Sequence, residues 1–359
     1  MNYEEFLIQP EKIKCEKWQI GSMIGREIPE GGVVLIWVSD RRGAGGEAEI
    51  LDFNSVRRQF YRLSKLDFEV PVCDLGDLVS GKSVQDTHYI LQEVISACLY
   101  RKSIPLIIGG SSDLAYSLFY TLNFHHQNIN YTHISSAVSL DSNGEEINEQ
   151  NFLAKIFSTK NFSINNFHLL GYQKHLNHDD ILKIVKQVDF DVVRLAEMMD
   201  DTSLTEPYFR NADLVTLNCD AVESFAEPFS CRPQVNGLNR REICAYMKET
   251  GLGENLKCVG IFNFNFDIHS QLNNQLLAQM LWYLLEGINI QQSHPKDKNI
   301  ETYWIMIDDQ NFSFKRDTFS DLWYFGNDED LNKCLPCSAA EYEDAKKGLL
   351  SSRLQKFVG

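Results

Sequence analysis

The sequence predicts an α/β fold: a three-layer α/β/α domain around a mostly parallel sheet. Three observations carry that expectation. Strand-like and helix-like segments alternate along most of the chain, the pattern that builds parallel sheets with helices on both faces. Val33–Val38 is apolar at every position, and a run without alternation marks a strand buried on both faces. Other segments repeat apolar residues at helical spacing, as in Ile90, Leu91, Val94, Ile95, Cys98 and Leu99, which gathers them on one face of a helix.

The elements follow in order. After the strand at Val33–Val38 comes a glycine-rich loop, Arg42-Gly43-Ala44-Gly45-Gly46, and then a helix over residues 53–65. Ser83-Val84-Gln85-Asp86 reads as a capping box opening the helix that carries Ile90 to Leu99. Strands are expected at 105–108, 134–140, 167–171, 189–194, 213–217 and 257–264. A helix is expected at 114–122, and another begins at the cap Asn239 and ends at Gly251. Leu276, Leu277, Met280, Leu281, Leu284 and Leu285 form a helical stripe that Gly287 would close. The α/β domain is expected to span residues 1–290. Beyond it, residues 291–359 change to polar loops, Trp304, Trp323, Tyr324 and an acidic helix near 339–349; this stretch reads as an extension packed on the core.

Composition narrows the function classes. The 359 residues are 43% hydrophobic with a net charge of -16; such an excess of negative charge disfavours nucleic acid and anionic membranes. The N-terminus lacks the basic and apolar regions of a signal peptide. No apolar run approaches the roughly 20 residues that a membrane span needs. The nine cysteines are odd in number and mostly sit in apolar runs, as expected for free thiols in a reducing cytoplasm. Cys334-Leu335-Pro336-Cys337 is a lone CxxC without the second pair that a zinc site needs. The loop at Gly43 does not match a dinucleotide fingerprint and reads as a turn with close backbone approach. His125-His126 is expected to end a helix, and His133, His168 and His269 to be structural.

Chemistry is expected at three loops that follow strands: Gly109-Gly110-Ser111-Ser112-Asp113, Asp141-Ser142-Asn143-Gly144-Glu145, and Asn218-Cys219-Asp220. Ligands in open α/β sheets bind at the carboxyl ends of strands. The loops offer Asp141, Glu145 and Asp220 as carboxylates, with Asp113 as a fourth, and no imidazole. Cys219, between Asn218 and Asp220, is turned away from them by strand alternation and is expected in the core.

These motifs resemble those of the ureohydrolase superfamily, which includes arginase, agmatinase and formimidoylglutamase. The resemblance runs from about Val33 to Gly287 and includes the loop at Arg42–Gly46, Asp220-Ala221-Val222-Glu223, and Lys257 to Asn265. Pro233 to Leu238 and Ala278 to Tyr283 are similar to a formimidoylglutamase-like branch with altered metal motifs. The resemblance implies an arginase-like α/β fold, a site for two Mn²⁺ ions, a symmetric homo-oligomer, and a small guanidino or formimidoyl ligand. The departures are specific. Ser112 stands at the position of the first metal histidine, Asn143 at that of the second, Asn218 at that of an aspartate, and Asn263 at that of a late glutamate. Asp141 and Asp220 are unchanged, and Glu145 keeps its charge one methylene longer.

Replacing carboxylates by Asn and Ser relieves like-charge repulsion and supplies hydrogen-bond partners to those that remain. The expectation is therefore a ureohydrolase frame with a degraded binuclear site. It would lack a cofactor and act as a binding, scaffolding or regulatory protein. The alternative is a hydrolase of linear amidine or guanidine C–N bonds using one divalent cation (Mn, Mg or Ca) on Asp141, Glu145 and Asp220, with Asn143, Asn218 and Ser112 around it and Asp113 and Asn263 lining the pocket.

Overall fold

The structure, a computed structural model, describes residues 3–47, 51–141, 144–187, 190–200 and 202–358. Nine strands form the main sheet: β1 Leu7–Ile8, β2 Val33–Val38, β3 Val72–Leu78, β4 Ile104–Ile108, β5 Ile129–Ile134, β6 Ile164–Tyr172, β7 Asp191–Arg194, β8 Leu214–Asn218 and β9 Cys258–Phe262. Their order is β1-β3-β2-β4-β9-β8-β5-β6-β7. Every pairing is parallel except that of β1 with β3. The helices of this part are α1 Asn54–Tyr61, α2 Val84–Tyr100, α3 Ala115–His125, α4 Phe152–Ser158, α5 Asp179–Gln187, α6 Leu195–Asp200, α7 Glu206–Arg210, α8 Arg240–Gly251 and α9 Gln271–Ser293.

β2 shows why the sheet has helices on both faces. Val33, Leu35 and Trp37 join an apolar cluster with residues of α1, α8 and α9, while Val34, Ile36 and Val38 join a second with residues of α2, α3 and α4. Each fully buried aliphatic side chain contributes about 2 kcal/mol, so the unalternating run is stable only between two layers. Ser83 caps α2 with Asp86, and Asn239 caps α8 with Glu242, each in a reciprocal capping box. Among the described residues, no helix is long and apolar enough to cross a membrane.

Four local expectations are corrected. β5 begins at Ile129 and stops at Ile134, whereas the sequence suggested 134–140. Beyond Ile134 the chain leaves the ladder, with Val138 N–H donating to Asn177 Oδ1 at 2.8 Å. β3 was not expected because Asp74 interrupts its apolar run. That carboxylate is fully buried and accepts from Arg57 Nε at 2.9 Å, Tyr61 Oη at 2.7 Å and Trp37 Nε1 at 3.3 Å, so a local network makes a charged residue tolerable in a buried position. Gly287 does not end α9, which runs on to Ser293. It is a crossing point: a Cβ there would lie 2.3 Å from Lys248 O of α8 and 2.9 Å from Gly251 Cα.

The fourth correction concerns the tail, which is not a set of polar loops. β10 Ile300–Ile307, β11 Gln310–Asp317, β12 Trp323–Phe325 and β13 Leu335–Cys337 form an antiparallel sheet, followed by α10 Ala339–Lys346 and α11 Ser352–Val358. Phe312, Phe314, Trp323, Phe325 and Leu354 lie in its own small core. β12 and β13 are only three residues long, and the Asp308-Asp309 turn that joins β10 to β11 is polar with both residues at positive φ, so composition hid the sheet. Of the tail's aromatic residues, Trp304 is 62% exposed, but Trp323 and Tyr324 are buried. Arg210 of α7 ties the tail to the main domain, donating from Nη1 to Trp323 O at 2.6 Å and from Nη2 to Cys337 O at 3.2 Å. Cys334 and Cys337 are buried free thiols.

Candidate functional site

The carboxyl ends of β4, β9, β8 and β5 are adjacent in the sheet, and the loops that leave them form one polar cluster. The β4 and β9 loops are coupled directly, with Gly109 N–H donating to Ile261 O and Asn263 N–H to Gly110 O, each at 2.9 Å. This close approach depends on Gly109, at φ 92°, where a Cβ would lie 2.5 Å from Val38 O.

Ser112 and Asp113 are both buried in the turn after β4. Asp113 is held by its own neighbourhood: it accepts from Ser111 Oγ at 2.5 Å, and its other oxygen lies 3.2 Å from His88 Nε2. His88 Nδ1 in turn lies 2.7 Å from Ser117 Oγ. The glycine-rich loop is the close backbone approach anticipated from the sequence, because a Cβ on Gly43 would fall 2.1 Å from the Asp113 carboxyl.

At the end of β8, Asn218 Oδ1 accepts from Asp220 N–H at 3.1 Å and from Asn263 Nδ2 at 3.2 Å. Asn263 is buried, at φ 61°, a left-handed conformation that asparagine tolerates better than most residues. Asp220 is 7% exposed. Burial raises its carboxyl to about 6, opposed by the Ser230 hydroxyl, the Arg232 backbone N–H and the Asn218 amide. Cys219 points into the apolar core, fully buried.

The loop after β5 distributes its acids unevenly. Asp141 is half-buried, its N–H donating to Gln150 O at 2.9 Å, whereas Glu145 is exposed. Asn143 lies outside the described residues. The buried acid of this loop is one the sequence reading missed, Glu149, 6% exposed. Its N–H donates to Gly43 O at 3.1 Å, Asn263 Nδ2 approaches its Oε2 at 3.5 Å, and its Oε1 forms an ion pair with Arg232 Nη2. Nothing in the sequence separates Glu149 from Glu145 and Glu146, and Arg232 sits in an unremarkable Cys-Arg-Pro stretch. Only the folded loops reveal them.

The structure thus brings Asn218, Asp220, Asn263, Glu149 and Arg232 together, with Asp113 buried nearby against Gly43 and His88. Two divalent cations need several anionic or imidazole donors at one place. Here Asn218 and Asn263 are hydrogen-bonded to each other, and Glu149 already faces a guanidinium. This donor set does not fit two metal ions. Among the described residues, no group of three or more His, Cys, Asp or Glu side chains is placed to hold one.

No family model matches the chain, and no curated protein matches it in sequence. Solved structures do match in three dimensions. Trypanosoma cruzi formiminoglutamase with Mn²⁺ aligns with a TM-score of 0.68 at 16% identity, covering 77% of this chain and 99% of that one. Formimidoylglutamase from Bacillus subtilis aligns with a TM-score of 0.68 at 14% identity, covering 80% and 97%. The chain has the ureohydrolase fold. Proclavaminate amidino hydrolase from Streptomyces clavuligerus extends the likeness, with a TM-score of 0.64 at 16% identity. The matched enzymes are covered almost whole, while about a quarter of this ureohydrolase-fold chain is left over. The tail beyond residue 290 is of comparable size.

Proposed function

We propose that this ureohydrolase-fold protein is catalytically impaired and acts as a binding, scaffolding or regulatory protein. The observation that carries the reading is the amide pair Asn218–Asn263 at the strand ends. A metal-activated hydroxide needs a cation to lower the pKa of bound water, and that cation needs an anionic cage to hold it. Two neutral amides joined by a hydrogen bond do not supply that cage. Metal analysis of the purified protein, together with turnover assays on formimidoylglutamate, agmatine and arginine, tests this. Stoichiometric Mn²⁺ with turnover of any of the three overturns it.

A second reading is favoured by one atom. Asp220 Oδ1 is buried without a hydrogen-bond partner, which suits a single divalent cation on a remodelled site that still hydrolyses linear amidine or guanidine C–N bonds. Under this reading Mn²⁺, Mg²⁺ or Ca²⁺ raises the melting temperature by linkage, and Asp220→Ala abolishes the rise.

The homo-oligomer is proposed to form through β10. Among the described residues this strand has no neighbour on its outer side, and Trp304 and Met306 are 62% and 71% exposed. A free apolar edge is a template for pairing with another copy. Trp304→Lys should lower the mass measured by light scattering, and an unchanged mass overturns this route. All nine cysteines are free thiols, which supports a reducing compartment such as the cytoplasm.

A further inference from the structure

Glu149 poses a physical problem that its neighbours do not solve alone. A carboxylate at 6% exposure loses most of its hydration, and a buried charge is tolerated only when paired and hydrogen-bonded. Its amide neighbour Asn263 stands at 3.5 Å, a long contact. The other cations nearby are committed elsewhere. Arg41 makes a bidentate pair with Asp267 at 2.6 and 3.0 Å, and Arg42 holds Asp40 at 2.6 and 3.0 Å. The guanidinium that meets Glu149 is that of Arg232.

The fold places Arg232 deliberately with respect to two loops. Asn265 N–H donates to Phe229 O at 3.0 Å, Ser230 bridges antiparallel to Phe264, and Cys231 N–H donates to Asn263 O at 2.8 Å. The segment before Arg232 is therefore clamped along the continuation of β9. From that position the Arg232 backbone N–H reaches Asp220 and its side chain reaches Glu149. One residue thus joins the buried acid of the β8 loop to the buried acid of the β5 loop. Its side chain is 51% exposed, so it approaches from solvent and covers the cluster.

We infer that Arg232 is the built-in cation of the strand-end site, neutralising Glu149 and cross-linking the β5 and β8 loops so that the frame stays closed without a metal ion. The inference rests on the impaired-site reading above and deepens it. It explains how the cluster keeps two buried acids with so few donors. It also implies a latent site: with the guanidinium removed, Glu149, Asp220 and the Asn218 oxygen are left as hard oxygen donors open to solvent, and an added cation can take its place.

The test uses the full-length chain and thermal melting. Arg232→Ala should lower the melting temperature, while Glu149→Gln combined with Arg232→Ala should recover most of the loss, because the uncompensated charge is gone. Millimolar guanidinium chloride or Mg²⁺ should raise the melting temperature of Arg232→Ala and leave the wild type unmoved. Arg232→Lys, which keeps the charge, should fall between the two and serves if the alanine variant does not fold. The inference is overturned if Arg232→Ala melts with the wild type, or if the double variant is as unstable as the single one. It is also overturned if neither cation moves the Arg232→Ala melt. A wild type that itself binds a divalent cation stoichiometrically and turns over an amidine sinks the impaired-site reading instead. The two failures are therefore distinguishable.

Discussion

Asn263 donates its side-chain N–H to the side-chain oxygen of Asn218 at 3.2 Å, across the ends of the two central strands β9 and β8. Asn263 holds this position at φ 61°, so backbone conformation and hydrogen bonding act on one residue. Asn263→Gly should lose the amide contacts but relieve the backbone, for a net cost of about 1 kcal/mol. Asn263→Ala should lose both and cost about 1 kcal/mol more. Urea unfolding of the two variants separates the effects, and an alanine variant as stable as the glycine variant refutes the account.

The buried carboxyl of Asp220 makes stability depend on pH with a definite sign. Its pKa rises from the ordinary 3.8 to about 6 on folding. The folded chain therefore keeps this proton over a range in which the unfolded chain has released it. The contribution is full below about pH 4 and is lost as pH rises through about 6. Asp220→Asn removes the loss, so its stability advantage over the wild type should grow from pH 4 to pH 7, by about 2–3 kcal/mol. Paired melts across that range provide the check, and a pH-independent difference counts against it.

The α8–α9 crossing depends on the absence of two side chains. A Cβ on Gly251 would lie 2.2 Å from Leu284 O, and one on Gly287 would lie 2.3 Å from Lys248 O. Alanine improves helix propensity at Gly287 by about 1 kcal/mol, but overpacking against backbone costs about 2–3 kcal/mol. Gly287→Ala should therefore destabilise, which differential scanning calorimetry would register as a lower transition temperature.

Arg210 is 2% exposed, with its guanidinium 4.8 Å above the Tyr324 ring and bonded to carbonyls of the tail sheet. Removing it should loosen the tail. Arg210→Met is expected to cost about 3 kcal/mol and to bring early proteolytic cleavage within residues 291–359. A full truncation at residue 300 would leave Arg210 without Trp323 and Cys337, so it should destabilise the main domain as well. Limited proteolysis followed by mass spectrometry distinguishes the tail-first outcome from a uniform loss.

Much of the frame was readable before folding. Val33–Val38 emerged with its bounds unchanged, and the Ser83 and Asn239 caps opened α2 and α8 as their residue types require. These signals are local: periodicity and capping act within a turn or two of the chain. β3 was not readable, because the merit of Asp74 in a buried strand depends on Arg57 and Tyr61 arriving from α1. Gly287 was misread for a similar reason, since its partner Gly251 lies on another helix. In the site, the strand-end position of Asn218, Asp220 and Asn263 was legible, and Glu149 and Arg232 were not.

The sequence by itself determined the alternation, the buried strands and the side chains that the strand-end loops offer, because each is a property of residue type and near spacing. Only the tertiary structure decided which acid is buried and what neutralises it. Glu145 and Glu149 carry the same side chain four residues apart, yet one is exposed and the other is sealed against Arg232, more than eighty residues further along. Desolvation and charge pairing depend on what the fold brings within a few ångströms, and no local pattern records that.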